Sequence, residues 1–136
     1  MKNFEILEHT ADAGGRIYGK DIRELFINAA KLLYFLAGIA LCDKIEKTVK
    51  IGLSGETIEE LLVKFLNELI YYMDVEKIGG EIQKLSIRKR GKMFNLHCEV
   101  VGKRLCRKRE IKAATYHNLK VKKEGGLFSS EIIFDI

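Results

Sequence analysis

The chain has 136 residues, of which 47% are hydrophobic and 32% charged, a balance that predicts one folded globular domain over 1–136 and excludes a disordered chain. No apolar run approaches the roughly 18–20 residues of a membrane helix, and the acidic, alternating N-terminus is not a signal peptide, so we expect a cytoplasmic protein without membrane contact. The three cysteines form no CxxC pair, which favours free thiols over disulfides or a thiolate zinc site.

The net charge of +5 is distributed unevenly. Residues 84–112 hold 11 basic and 2 acidic side chains, a net of +9, whereas residues 1–83 carry a net of −4. A segment this basic faces a phosphate backbone or an acidic protein, or else forms the solvated face of a hairpin. No platform of aromatic residues is interleaved with it, so basicity alone does not identify an RNA-binding protein.

The first half of the chain predicts strand, strand, helix, strand and helix. Residues 3–9 alternate, Gly14–Gly15 indicate a turn, and 16–20 form a second short strand. Helical spacing then begins after an Asp21 N-cap and ends at Gly38.

The next two elements are a strand and a second helix. Residues 44–53 alternate, with Ile45, Val49, Ile51 and Leu53 expected on one face. Residues 57–74 predict a helix with a Thr57–Glu60 capping box. Its wide apolar stripe predicts core packing: Leu61, Leu62, Phe65, Leu66, Leu69, Ile70 and Met73.

The remainder of the chain reads as strands. A hairpin is expected around Gly91, followed by strands at 107–113 and 116–123 and a last strand at 127–135 with Phe128, Ile132 and Phe134 on one face. The expected fold class is α+β, a largely antiparallel β-sheet covered on one side by two helices, in the order β-β-α-β-α followed by four or five strands.

Polar residues interrupt this packing pattern in three places: "EHTAD" (8–12), "EIKAATYHN" (110–118) and "FDI" (134–136). No phosphate-binding loop, dinucleotide fingerprint or nucleophile elbow is present, and the histidines lack zinc-ligand spacing. If the last strand lies beside the first, then Asp12, Asp135 and the terminal carboxylate of Ile136 converge, and a hard cation would relieve their repulsion. The alternatives are that Asp12 caps a turn and that Asp135 is solvated.

Four blocks, "EHTADAG", "LNELIYYMD", "EIKAATYHNLKV" and "IIFDI", together resemble the archease family over the full length of the chain. The resemblance implies a small α+β protein that is not an enzyme but a partner cofactor of the RtcB-type tRNA-splicing ligase. That ligase joins a 2′,3′-cyclic or 3′-phosphate RNA end to a 5′-hydroxyl end with GTP and a divalent metal. Archeases are held to promote guanylylation of its active-site histidine and so permit multiple turnover.

The resemblance also implies functions for individual residues. Asp12, Asp135 and Ile136 match the family's metal ligands, with calcium as the expected ion and magnesium or manganese as alternatives. Lys112 matches a lysine that the family needs for function. The other polar residues of the same blocks are candidates for a partner or secondary site: His9, Thr10, Thr115 and His117.

Two other functions remain open from the sequence. One is a chaperone-like or specificity-modulating partner of a tRNA-modifying enzyme such as a methyltransferase, which needs no Asp135. The other is a simple RNA-binding domain that uses the basic 84–112 segment. In the ligase-cofactor interpretation, that segment steers the encounter or makes an indirect, weak contact with RNA phosphates held by the ligase.

Overall fold

The computed structural model describes residues 3–8, 12–116 and 119–136, which form two antiparallel sheets and two helices. The first sheet has the order β1 (Phe4–Glu8), β2 (Asp12–Gly19), β8 (Leu127–Asp135), β6 (Ala113–Ala114), and β7 (Lys122–Glu124) also pairs with β8. The second sheet has the order β3 (Ala40–Gly55), β5 (Met93–Arg107), β4 (Ile78–Arg90). The α+β class is confirmed, with the strands divided between two sheets instead of one.

The two helices are α1 (Ile22–Ala37) and α2 (Ile58–Tyr71), and a π-helical segment, Tyr72–Glu76, extends α2. Each helix contacts strands of both sheets, so its buried surface extends beyond one narrow stripe. Phe26 of α1 and Phe65 of α2 meet with ring centroids 5.7 Å apart, and both are fully buried. No helix in the described part of the chain is long and apolar enough to cross a membrane.

The helix ends follow the sequence signals. The Asp21 carboxylate accepts the Glu24 N–H at 2.7 Å, and Gly38 ends α1 with a φ of 56°, a conformation that suits glycine. The Thr57 hydroxyl accepts the Glu60 N–H at 3.0 Å, whereas the Glu60 carboxylate accepts the N–H of Glu56 at 3.0 Å instead of the Thr57 N–H that a capping box uses. Both N-cap predictions and the glycine stop are therefore confirmed, because each depends only on local backbone chemistry.

Gly14 and Gly15 do not form the expected turn, because both lie inside β2, paired with β1 on one side and β8 on the other. A Cβ atom on Gly15 would lie 2.5 Å from the Glu5 carbonyl oxygen and 2.6 Å from a Leu32 methyl carbon. The glycine is thus required by close packing of β2 against β1 and α1, a contact between residues distant in sequence.

Two strand predictions were also wrong. Residues 108–112 are irregular, because the Arg109 N–H donates to the Ala37 carbonyl at the end of α1, 2.7 Å away. The described part of 116–123 is strand only in β7, since the Leu119 N–H donates to the Tyr116 carbonyl at 3.1 Å and not to a neighbouring strand. Backbone donors in these segments bind other elements, and side-chain alternation does not reveal that.

Ile45 does not share the buried face of β3, as its side chain is 56% exposed. The pairing of β3 with β5 is irregular between Ala40 and Lys47, which breaks the alternation of faces before Val49. Cys42 and Cys106 lie on these two strands with Cα atoms 6.2 Å apart and form a disulfide, contrary to the expectation of free thiols. Cys98 is free and buried. Strand pairing brings the bonded cysteines together across 64 residues, which sequence spacing could not show.

Candidate functional site: a carboxylate pair at the end of the five-stranded sheet

The end of the five-stranded sheet brings together residues from the two extremities of the described chain. Asp12, the first residue of β2, is the register partner of Asp135, the last residue of β8. Directly opposed residues of antiparallel strands point to the same face with Cα atoms about 4.5–5.5 Å apart. Two carboxylates therefore share one face at this edge.

The remaining pairs of β2 and β8 show how unusual this arrangement is. Two rows further along the same face, Arg16 opposes Glu131, and their charged atoms are 3.5 Å apart. Arg16 also has its pKa raised, chiefly by hydrogen bonding to Tyr18 and then by Glu131. A complementary pair stabilises two adjacent strands, whereas like charges directly opposite each other destabilise them. The Asp12–Asp135 pair is thus unfavourable unless something positive lies beside it.

Asp135 is held on a firmly anchored strand. Its neighbours on the other face, Phe134 and Ile132, are fully buried, while Asp135 itself is exposed. Strand β8 is bonded on both sides, to β2 and to the short strands β6 and β7. A carboxylate on a paired, core-anchored strand keeps a more defined position than one on a loop.

The segment from Lys112 to Thr115 is tied beside Asp135 by three backbone donors. The Lys112 N–H donates to the Asp135 carbonyl at 2.7 Å, and the Thr115 N–H donates to the Ile133 carbonyl at 2.9 Å. Between them, the Ala114 N–H donates to Oδ1 of Asn67 on α2, 2.8 Å away. The backbone of the "KAAT" stretch therefore fixes this strand end, and the exposed residue Lys112 lies beside Asp135.

Asn67 is a residue of this site that the sequence reasoning did not single out. It is half-buried among the apolar residues of α2, where packing alone would favour a hydrophobic side chain. Its acceptor satisfies a backbone donor of β6. The sequence carried no clear signal for it, because Asn67 lies at the edge of the apolar stripe, next to the polar residues Lys64 and Glu68.

The predicted site residues divide into three groups. Asp12, Asp135 and Lys112 are brought together, and Ile136 follows Asp135 with its side chain 51% exposed. Thr115 is half-buried on the adjoining segment, where its backbone bonds to β8. His9, Thr10 and His117 lie outside the described residues.

The donor chemistry of this site fits a hard cation. Carboxylate oxygens with main-chain oxygens of Ile136 are the ligands that calcium and magnesium prefer, and no thiolate or imidazole intrudes among the described residues at the pair. Within 3–8, 12–116 and 119–136, no three residues among histidine, cysteine, aspartate and glutamate gather in a metal-binding group. Among the described residues, the two aspartate side chains supply fewer ligands than a hard cation takes, and magnesium supplements such a set with water and substrate phosphates.

Comparison with known proteins identifies relatives over the whole length. Residues 4–136 match the model of the Archease protein family. Protein archease of Pyrococcus abyssi is 34% identical over 144 residues, with all of both chains covered, and the archease of Archaeoglobus fulgidus is 32% identical over 143 residues, with 98% of each covered.

Solved structures give the same picture. The solution structure of Methanobacterium thermoautotrophicum protein 1598 superposes with a TM-score of 0.82 at 29% identity, covering all of both chains. A Thermotoga maritima crystal structure, described as an archease and possible chaperone, gives a TM-score of 0.66 at 26% identity over 96% of this chain and 94% of that one.

Proposed function

Because the chain belongs to the archease family, we propose that it is a non-catalytic, metal-binding partner of an RtcB-type tRNA-splicing ligase. In this proposal it promotes guanylylation of the ligase and so permits multiple turnover. The observation that carries the proposal is the opposition of Asp12 and Asp135 on two strands whose other charged pair is complementary. An unfavourable like-charge pair on an anchored strand lowers stability, and local violations of this kind are expected at functional sites.

In the proposed site, the carboxylates of Asp12 and Asp135 and the main-chain oxygens of Ile136 hold a divalent cation. Calcium is the expected ion, with magnesium and manganese as alternatives. When bound, the cation supplies positive charge that screens the carboxylates and can polarise a phosphate oxygen. Water and groups of the partner complete its ligand set, since the aspartates and Ile136 supply fewer oxygens than such a cation takes.

Lys112 supplies the second part of the proposed surface. Its backbone N–H is bonded to the Asp135 carbonyl, so its Cα lies at a fixed position beside Asp135, and the residue is exposed. A flexible point charge of this kind suits the phosphates of a nucleotide. The protein has no phosphate-binding loop of its own, so the nucleotide and the nucleophilic histidine belong to the ligase in this proposal.

A ligation time course with limiting ligase tests the proposal. Purified RtcB-type ligase receives GTP, manganese and a 2′,3′-cyclic-phosphate RNA with a 5′-hydroxyl partner strand, with and without this protein. Wild-type protein should raise product above one turnover, whereas Asp12→Asn and Asp135→Asn should leave product near the ligase-only amount. The matched control is Glu131→Gln, a charge removal on the same face of β8, which should stimulate like wild type. Equal stimulation by all variants would end the metal-dependent proposal.

A second function is favoured by one observation. Phe35 and Tyr116 are 61% and 57% exposed, and a chaperone-like partner of a tRNA-modifying enzyme such as a methyltransferase would use exposed apolar side chains of this kind. The words "possible chaperone" for the Thermotoga relative agree with it. In that case the Asp135→Asn variant should protect a heat-stressed tRNA methyltransferase from aggregation as well as wild type does.

A further inference from the structure

The three-stranded sheet has a polar face that the carboxylate site does not use. Along β5, Leu96, Cys98 and Val100 are buried, so the residues between them point away from the core. Register partners on β3 and β4 share that orientation. Together with the apolar Met93 opposite Arg90, they form the outer face of this sheet near the hairpin: Gly52, Ser54, Ser86, Arg88, Arg90, Met93, Asn95 and His97.

A depression of about 420 Å³ on this face is lined by Arg88, Arg90, Asn95 and His97. Arg88 opposes Asn95 directly, and Arg90 follows Arg88 on the same face of β4. Residues two apart on a strand are separated by about 6.6–6.8 Å, so the two guanidinium groups start from neighbouring positions along one edge.

The polar floor of this depression is ordered by two contacts. The Ser54 hydroxyl donates to Oδ1 of Asn95 at 2.7 Å, which engages the amide acceptor and leaves its N–H donors for a ligand. Gly52 opposes His97, and a Cβ atom there would lie 3.5 Å from Nδ1 of the imidazole. The His97 imidazole therefore lies against the backbone of Gly52, and most of the polar groups that line the depression are hydrogen-bond donors.

The described acids near this depression are engaged elsewhere. Asp21, which lines a neighbouring depression together with Arg88, accepts the Glu24 N–H at 2.7 Å. The acid in the next row of the outer face, Glu99, is paired with Lys84 at 3.7 Å. Across the described residues, neither Arg88 nor Arg90 makes an ion pair with a carboxylate. Phe94, the aromatic residue of the hairpin, belongs to the opposite face, where Lys89 lies over its ring. This face thus offers oxyanion contacts, and its described residues include no phenylalanine, tyrosine or tryptophan to form a platform for stacked bases.

We propose that this outer face binds the phosphate backbone of RNA directly, through Arg88 and Arg90 with Asn95 and His97. Two planar guanidinium groups, an amide and an imidazole are donors whose geometry suits phosphate oxygens, and arginine binds them in a bidentate manner. The absence of a stacking platform on this face predicts binding that depends on charge and backbone, with little sequence preference. The site lies on the other sheet from the carboxylate pair and does not depend on the proposed ligase function.

Fluorescence anisotropy with a fluorescein-labelled 20-nucleotide single-stranded RNA of mixed sequence, titrated between 50 and 300 mM KCl, tests this site without any ligase. The logarithm of the binding constant should fall linearly with that of the salt concentration, by about 0.7 per phosphate contacted. Arg88→Gln/Arg90→Gln should weaken binding at least tenfold and reduce the slope by about 1.4. The matched control, Arg107→Gln/Arg109→Gln, removes the same charge from exposed positions outside this face and should lose less than threefold.

Two further arms decide the outcome. A fluorescein-labelled decaglutamate peptide should bind at least tenfold more weakly than the RNA, and Asp12→Asn/Asp135→Asn should bind RNA like wild type. Equal losses in the two arginine double variants, no RNA binding at 50 mM KCl, or tighter binding of the peptide would each overturn the proposal. A failure of ligase stimulation by the aspartate variants would leave this result unchanged, so the two proposals are tested separately.

Discussion

Asp12 and Asp135 face each other across two neighbouring strands, while Arg16 and Glu131, two rows away on the same strands, form a complementary pair. In the absence of metal, the first pair therefore lowers the free energy of unfolding and the second pair raises it, each by about 0.2–1 kcal/mol. This difference in sign leads to a measurement that separates repulsion from metal binding.

The Asp135→Asn variant should be slightly more stable than wild type in EDTA, because the substitution removes the repulsion from Asp12. In 5 mM CaCl2 the order should reverse, since ligand binding to the folded state stabilises only the protein that keeps both carboxylates. Thermal melting by calorimetry in both buffers measures the effect. Glu131→Gln is the control and should retain the calcium response; an identical calcium response in Asp135→Asn would contradict the prediction.

The Asn67→Ala variant should lose about 1–3 kcal/mol of unfolding free energy, because the Ala114 N–H is left without its acceptor. Asn67→Asp keeps an acceptor oxygen and should lose much less. Urea unfolding curves give both values. The same bond fixes the segment that carries Lys112, so Asn67→Ala should also lower ligase stimulation at a temperature where it remains folded. An Asn67→Ala variant with the same free energy of unfolding as wild type would contradict this contribution of the Asn67–Ala114 hydrogen bond.

Reduction of the Cys42–Cys106 disulfide should lower the free energy of unfolding by about 2–4 kcal/mol, because the bond closes a loop of 64 residues in the unfolded chain. Unfolding in urea with and without dithiothreitol gives the difference. A Cys42→Ser/Cys106→Ser variant should melt like the reduced wild type and ignore the reductant. Sensitivity of that variant to dithiothreitol would assign the effect to something other than this bond.

Alkaline pH should destabilise the fold through Tyr34. Burial raises the pKa of Tyr34 to about 12 from an ordinary value of 10.0. Between these values the unfolded chain releases the phenolic proton and the folded chain keeps it, so the free energy of unfolding falls as pH rises. Buried Cys98, with its pKa raised to about 11 from 9.0 by desolvation, acts in the same direction from a lower pH.

Urea unfolding at pH 9, 10 and 11 measures this decline. Tyr34→Phe should show a shallower loss between pH 10 and 11, because it has no proton to release. The same variant should be somewhat less stable at every pH, since the Tyr34 hydroxyl accepts the Gly80 N–H at 3.4 Å. A decline as steep in Tyr34→Phe as in wild type would assign the alkaline sensitivity to other groups.

The sequence predicted those features that depend on neighbouring residues. Asp21, Gly38 and Thr57 marked helix ends correctly, since caps are satisfied within one turn. The meeting of Asp12 and Asp135 was expected only if the last strand lay beside the first. The last strand pairs instead with β2, which begins at Asp12, so the two aspartates do meet, but through a different strand pairing. Whether they bind a metal ion remains a prediction.

Features that depend on long-range packing were missed. Gly15 is needed for contact with β1 and α1, so its place in a strand is invisible to a local pattern. The disulfide results from the pairing of β3 with β5. Asn67 accepts a hydrogen bond from the backbone N–H of Ala114, which lies 47 residues further along the chain. Each depends on which elements become neighbours, and periodicity describes only one element at a time.

Strand β8 lies in the interior of its sheet, between β2 and the short strands β6 and β7. Its pairing with β2 closes a loop of nearly the whole polypeptide, a slow step in folding because the chain entropy is lost before the contact forms. The two aspartates are thus adjacent only in molecules that have completed this closure. An ion held between them would bind only to fully folded molecules, and the amount of ion bound would report the fraction of the protein that has folded.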